Sequence, residues 1–360
     1  MTELEGDRGN AVEPDDTERP RGTHPRRRFN TRIAVATFGA VAAAAIAADL
    51  ALATTRPAAV GSGVVVIDTN LGYQDGQAAG TGMVLTSSGV VLTNNHVIRD
   101  ATAIRVVVPT TGRSYTAKVV GYDASDDVAV LQASGASNLK TISVGDSATL
   151  NAGESVNALG NAGGTGSLRP AAGTVTGVGR AITVSDDQGG SESLKGMIET
   201  NAAVQPGDSG GPLMNAAGQV VGMDTAASVG NGFEQAATSD GYAIPINRAM
   251  SIALQIMRGD ASATTHVGGT AFLGVEVEQN SYGGSGAVIT SVVPGSPAAA
   301  AGLTPGDLIT SFGGQQVSSP AGLTTIVTTQ KPGAPVSATY VDQQGATQTA
   351  NLALASGPPR

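Results

Sequence analysis

A mainly β protein is what this sequence predicts, and three observations carry that reading. Glycine is abundant, at 50 of 360 residues, and short apolar runs alternate with Gly, Ser, Asn and Asp. The apolar residues are chiefly Val, Ala, Ile and Leu, with no Trp, which suits strands packed by aliphatic side chains. The runs recur at the spacing of a barrel or sandwich, and the length suits two or three domains.

Residues 1–32 are polar and Pro-containing and read as a disordered leader on the cytoplasmic side. Their seven Arg and seven acids cancel, so the net charge of −9 lies wholly beyond them. An acidic body excludes nucleic acid as the expected partner. Arg21, Arg26, Arg27, Arg28 and Arg32 precede an apolar run at 33–53, interrupted only by Asp49. About twenty such residues suffice to span a membrane as a helix, and the arginines set the body outside the cytoplasm. Two readings stay open for 33–53. One is a transmembrane anchor. The other is a signal segment cut after Ala51-Leu52-Ala53 or exported by a twin-arginine route. Residues 54–60 are a linker.

The body begins at Val64–Ile67. Strands are expected at 82–86, 90–93, 103–109, 116–122 and 128–132, then at 155–159, 173–178, 197–200, 212–214 and 220–224. Residues 161–169, 185–193 and 228–240 are Gly-, Ser- and Asp-rich surface loops. Asn247–Met257 has the apolar spacing of a helix packed on the body. Residues 259–267 read as a second linker. Cysteine is absent, which excludes disulfides and thiolate zinc sites; no metal or cofactor is expected.

Gly207-Asp208-Ser209-Gly210-Gly211-Pro212 suits a nucleophile on a tight bend. Its amides, at Gly207, Asp208 and Ser209, are the candidate oxyanion donors. A serine needs a base. Of three histidines, His24 lies in the leader and His266 in the second linker, so His96 is the one inside the folded body. An acid entering an apolar strand can orient an imidazole, and Asp127 precedes Val128-Ala129-Val130-Leu131, with Asp123 and Asp126 as alternatives.

Four stretches together carry a resemblance: Gly80-Thr81-Gly82-Met83-Val84-Leu85, Leu92-Thr93-Asn94-Asn95-His96-Val97-Ile98, Asp127-Val128-Ala129-Val130-Leu131 and Thr200–Leu213. In this order they resemble the HtrA (DegP-like) serine proteases, nearest to exported actinobacterial members. The resemblance implies a chymotrypsin-like double β-barrel over 61–258, with His96 as general base, Asp127 as its orienter and Ser209 as nucleophile. Asp208 stands where many members carry Asn. Ala203 falls at the floor of the substrate pocket, and Gly241–Pro245, with Tyr242, Ala243 and Ile244, resembles the pocket-lining segment. An uncharged floor implies small or medium apolar residues at P1.

Ala271-Phe272-Leu273-Gly274-Val275, Gly286–Val292, Pro294–Leu303 and Pro305–Ile309 resemble a PDZ domain of the HtrA type, spanning 268–356. There the Phe272, Leu273, Gly274 and Val275 loop would offer amides to a peptide's terminal carboxylate, and Pro320–Val327 would line the groove. The resemblance implies an endopeptidase cleaving unfolded or misfolded protein, with peptide C-termini as PDZ partners and a homotrimer as a family habit; the apolar run at 33–53 adds the membrane as a partner of the N-terminal segment. A catalytically silent PDZ chaperone or scaffold, and a regulatory protease with one membrane substrate, are the alternatives.

Overall fold

The computed structural model describes residues 61–73, 76–185, 191–225, 241–281 and 283–359. The leader, the apolar segment at 33–53, the first linker and the whole of the 228–240 loop lie outside them. Among the described residues, no helix is long and apolar enough to cross a membrane.

The first half contributes β1 (Val64–Leu71), β2 (Gly76–Val84), β3 (Val90–Thr93), a one-turn helix α1 (Asn95–Ile98), β4 (Ala103–Val108), β5 (Arg113–Asp123) and β6 (Val128–Ala133). The strands pair in the order β5-β4-β1-β2-β3-β6, and β5 also pairs with β6, closing a six-stranded barrel. The second half supplies β7 (Ser155–Gly160), β8 (Arg169–Ser185), β9 (Ser191–Thr200), β10 (Pro212–Asn215), β11 (Val220–Thr225) and β12 (Gly241–Pro245), which close a second barrel. Helix α2 (Ile246–Arg258) follows, and Gly259 caps it in the left-handed conformation.

β3 and β6 explain why two apolar runs lack alternation. Val91, Ala129 and Leu131 fill the first barrel. Val90, Leu92, Val128 and Val130 face the other way, into a cluster shared with Met214 and Met223 of the second barrel and with α2. Both faces are buried, so both read as continuous apolar sequence. Burial of an aliphatic side chain is worth about 1.5–3 kcal/mol. This shared cluster is the main adhesive between the barrels. The interior of the second barrel is separate, built from Leu150, Val156, Ala158, Val175, Ile198, Leu213 and their neighbours.

Residues 259–267, expected as a linker, include a strand. β13 (Thr265–Val267) pairs antiparallel with the end of β5, His266 opposite Tyr122. Three residues between Gly- and Ser-rich flanks show no periodicity, so only the open edge of β5 recruits them. Thr265 Oγ1 donates to Asp123 Oδ2 at 2.8 Å, and the His266 ring stacks on Tyr122.

The C-terminal module has β14 (Thr270–Phe272), β15 (Val275–Gln279), β16 (Ala287–Val292), α3 (Pro297–Ala300), β17 (Leu308–Phe312), β18 (Gln315–Gln316), α4 (Pro320–Thr328), β19 (Pro335–Val341), β20 (Thr347–Ala353) and β21 (Ala355–Gly357). Its sheet runs β15-β16-β17-β19-β20, so β15 is an edge strand, with α4 packed nearby. Its core is its own, centred on Ile289, Ile309, Phe312, Leu323 and Ala338.

Asp123 is buried and accepts from the Thr265 and Ser125 hydroxyls and the Asp126 amide. Asp123→Ala strands the buried Thr265 hydroxyl, at a cost of about 1–3 kcal/mol. The expected outcome is a melting midpoint lowered by several degrees in calorimetry.

Candidate active site

Strand register assembles half of the site. β3 and β6 are antiparallel, with Thr93 opposite Ala129. The residues that follow β3 and the residue that precedes β6 therefore meet at one end of the barrel. His96 sits on α1 just beyond β3, and Asp127 is the last residue before β6. His96 Nδ1 lies 2.8 Å from Asp127 Oδ2, and the His96 amide donates to Oδ1 at 2.9 Å. A carboxylate only accepts, so the Nδ1 proton faces Asp127 and Nε2 is left as the basic nitrogen. The His96 side chain is 38% exposed, while that of Asp127 is buried.

Asp127 adopts φ 51°, a left-handed value uncommon outside glycine. The surroundings fix it there. Asn94 Nδ2 donates to its carbonyl at 2.9 Å, and the Thr225 hydroxyl approaches Oδ2 at 3.4 Å. The two alternative acids are engaged elsewhere. Asp126 pairs with Arg248 of α2, and Asp123 holds Thr265.

Ser209 reaches the same place from the second barrel. Its carbonyl accepts from the Thr81 amide of β2 at 2.9 Å. The Thr81 hydroxyl donates to the Gly207 carbonyl at 2.7 Å and accepts from the Asn161 amide at 2.9 Å. The Thr81 carbonyl accepts from Thr93 Oγ1 at 2.7 Å. Gly210 has no room for a side chain. A Cβ there would stand 2.2 Å from the Thr81 carbonyl and from Thr93 Oγ1, and 3.2 Å from the Asn94 amide. This contact brings the Ser209 turn against the segment that leads into His96. Ser209 itself is 4% exposed.

Of the three candidate oxyanion donors, the Asp208 amide is turned inward, donating to the Gln205 carbonyl at 2.9 Å. That bond closes the turn and removes Asp208 from the set, leaving Gly207 and Ser209. Among the pocket candidates, Ala203 is exposed, and Tyr242 donates to Glu199 Oε1 at 3.3 Å. Ala243 faces the second barrel's interior, whereas Ile244 points into the cluster shared with α2. Neighbours along a strand face opposite ways, so these two do not line one pocket.

In the C-terminal module, Leu273 is buried in the core and Gly274 takes φ 85°. A Cβ on Gly274 would lie 2.1 Å from that of Ser296, so this turn admits only glycine. Val275 opens the edge strand β15. The Phe272 ring leaves the loop and stacks on Tyr73 of the first barrel, with centroids 5.4 Å apart.

Sequence reasoning assigned no role to Thr81, Asn94, Asn161, Thr225 or Asp224. Thr81 stands between Gly80 and Gly82, and a hydroxyl residue flanked by two glycines is the local signal its sequence offers. Among the described residues, no group of three or more His, Cys, Asp or Glu could hold a metal.

Two barrels with a His–Asp pair at their junction and a serine turn facing it, followed by a module with an open-edged sheet, define a trypsin-like peptidase domain joined to a PDZ domain. The trypsin-like peptidase domain family matches residues 80–223, and the PDZ domain family matches 271–354. In this pairing of a trypsin-like peptidase domain with one PDZ domain the chain is similar to the HtrA (DegP-like) serine proteases. It is 33% identical over 304 residues to the serine protease PepD of Mycobacterium tuberculosis, covering 81% of this chain and 63% of that protein. It is also 33% identical over 285 residues to the periplasmic serine endoprotease DegP of Salmonella typhimurium, covering 77% and 57%. Among solved structures, the HtrA-type protease AlgW with tripeptide is 27% identical, with a TM-score of 0.48, covering 86% of this chain and 98% of that one. The chain spans about three fifths of the length of these two curated relatives.

Thr81→Val keeps the volume of the side chain and removes its hydroxyl. The Gly207 carbonyl and Asn161 amide then lose their shared partner, at about 1–3 kcal/mol. Displacement of the turn is expected to slow fluorophosphonate labelling of Ser209 by about tenfold or more. Circular dichroism is expected to show the fold retained.

Proposed function

We propose that this chain is a serine endopeptidase that cleaves unfolded or misfolded protein outside the cytoplasm. The observation that carries the reading is the His96–Asp127 pair set at the barrel junction beside the Ser209 turn. Ser209 Oγ attacks the scissile carbonyl while His96 Nε2 takes its proton. Asp127 holds the ring and stabilises the imidazolium. The Gly207 and Ser209 amides receive the oxyanion. His96 returns the proton to the leaving amine, an acyl-enzyme remains on Ser209, and water releases it by the reverse proton path.

The uncharged Ala203 supports small or medium apolar residues at P1. The open edge of β15, the Gly274 turn and the neighbouring α4 support capture of a peptide C-terminus as an added strand. Location outside the cytoplasm is supported by relatives described as periplasmic. It is also supported by the arginine-flanked apolar segment at 33–53, which serves either as a membrane anchor or as a signal.

Casein hydrolysis by purified residues 57–360 is the direct test. Ser209→Ala is expected to abolish it, and Asp127→Asn to lower it by about four orders of magnitude with the fold intact. Hydrolysis surviving in Ser209→Ala would overturn the assignment. At the second module, peptides with a free apolar C-terminus are expected to bind and their C-terminal amides to fail, in fluorescence anisotropy. Gly274→Val is expected to abolish the binding, because the turn admits no side chain.

A further inference from the structure

Two acids flank the Ser209 turn without donors to match them. Asp208 is 2% exposed and Asp224 is fully buried. Asp208 Oδ2 accepts from the Gln205 amide at 2.9 Å. Asp208 Oδ1 and both carboxyl oxygens of Asp224 have no hydrogen-bond partner among the described residues. The cations paired with acids lie elsewhere: Arg105 with Asp68, Arg180 with Glu199, Arg248 with Asp126 and Arg258 with Asp260.

The backbone ties both acids to the nucleophile's turn. Gly210 donates to the Asp224 carbonyl, Asp224 donates to the Gly211 carbonyl, and Gly211 donates to the Asp208 carbonyl, each at 2.8 Å. β7 closes the third side, since a Cβ on Gly160 would stand 2.5 Å from Asp208 Cα and Oδ1. The two side chains thus occupy a sealed space against the one turn whose amides are assigned to the oxyanion.

A buried carboxylate without donors is unfavourable, whereas the neutral acid supplies an O–H of its own. Burial pushes the Asp208 carboxyl up. Burial first, and then the charge of Asp208, push Asp224 well above the usual carboxylate range. Other titratable groups on the surrounding elements are few. Asp127, bound to His96, lies across the Thr225 hydroxyl. β12 brings Tyr242, whose hydroxyl is directed to Glu199 of β9, and Glu199 is also paired with Arg180 of β8. β9 further carries Glu192 and Lys195, while β7 and β10 carry no titratable side chain.

Resting on the peptidase reading above, we propose that Asp208 and Asp224 are positioning residues that hold the Ser209 turn in working shape only while the pair retains a proton. With both ionised, mutual repulsion in a space without cations spreads β11 from the turn and moves the Gly207 and Ser209 amides off the oxyanion. The pair therefore contributes stability in full below the ordinary carboxylate value of about 4. That contribution is lost as pH rises through the raised folded values. Asp224→Asn carries no charge to titrate and so removes the repulsion while keeping the shape of the side chain.

The test compares the full chain with Asp224→Asn over about pH 4 to 9, reading the melting midpoint and the rate of Ser209 labelling by a fluorophosphonate. The midpoint advantage of the variant is expected to be small at the acid end and to grow to about 3 °C or more at the alkaline end. The ratio of variant to wild-type labelling rates removes the pH dependence common to both proteins, and it is expected to rise at least about threefold across the range. Asp208→Asn is expected to behave alike, since it removes the other charge. Parallel midpoint curves, or a labelling ratio flat with pH, would overturn the positioning role while leaving the peptidase reading intact. Absence of labelling in both proteins at every pH would instead overturn the peptidase reading, and the positioning role with it.

Discussion

The structure turns on the hydrogen bonds that Thr81 makes across the barrel junction. Each barrel closes on itself, and the apolar cluster between them is adhesive without being directional. Aliphatic packing alone would tolerate small slides between the two bodies. Thr81 removes that freedom by holding the Gly207 and Ser209 carbonyls and the Asn161 amide from a single residue of β2, all within 2.9 Å. It is fully buried, so these bonds face no competition from water. The spacing between the Ser209 turn and the His96–Asp127 pair therefore depends on one strand of the opposite barrel.

The strands were legible because sheet physics writes itself into residue order. β3 and β6 read as unbroken apolar runs since each lies between a barrel interior and the inter-barrel cluster. β8 was only partly legible. It runs from Arg169 to Ser185, but the pattern covered 173–178, because Gly173, Gly177 and Gly179 interrupt the alternation. β13 was not legible, since three residues on a borrowed edge carry no period.

The motif resemblance points to His96, Asp127 and Ser209, and the register of β3 against β6 gives a physical reason for the first two to meet. The polar residues that hold them were harder to see. Asn94, Asn161 and Thr225 act through hydrogen bonds between positions 33 to 98 residues apart or through backbone amides, and no local pattern encodes such pairings. Asp224 reads in sequence as the polar end of a strand. Only closure of the second barrel reveals that its carboxyl is buried without a donor.

The acid loop from Asp123 to Asp127 connects more of the molecule than its length suggests. Asp127 is fixed by Asn94 from the end of β3, Asp126 by Arg248 from α2, and Asp123 by Thr265 from β13. β13 leads within three residues into β14, where the Thr270 hydroxyl meets that of Tyr122 at 3.3 Å. The chain entering the C-terminal module is thus bonded to the same loop that orients His96. A second joint lies close by, where Phe272 stacks on Tyr73, and a third where the Asp100 amide donates to the Pro359 carbonyl. Any movement of β14 that accompanies filling of the β15 edge would load Thr265 and Tyr122 together with the Phe272–Tyr73 stack. Tyr122 sits on β5, the strand that turns into Asp127, and Thr265 is bonded to Asp123 at the end of that strand. β13 thus ties the C-terminal module to the acid loop through the Asp123–Thr265 bond, in parallel with the Tyr122–Thr270, Phe272–Tyr73 and Asp100–Pro359 contacts.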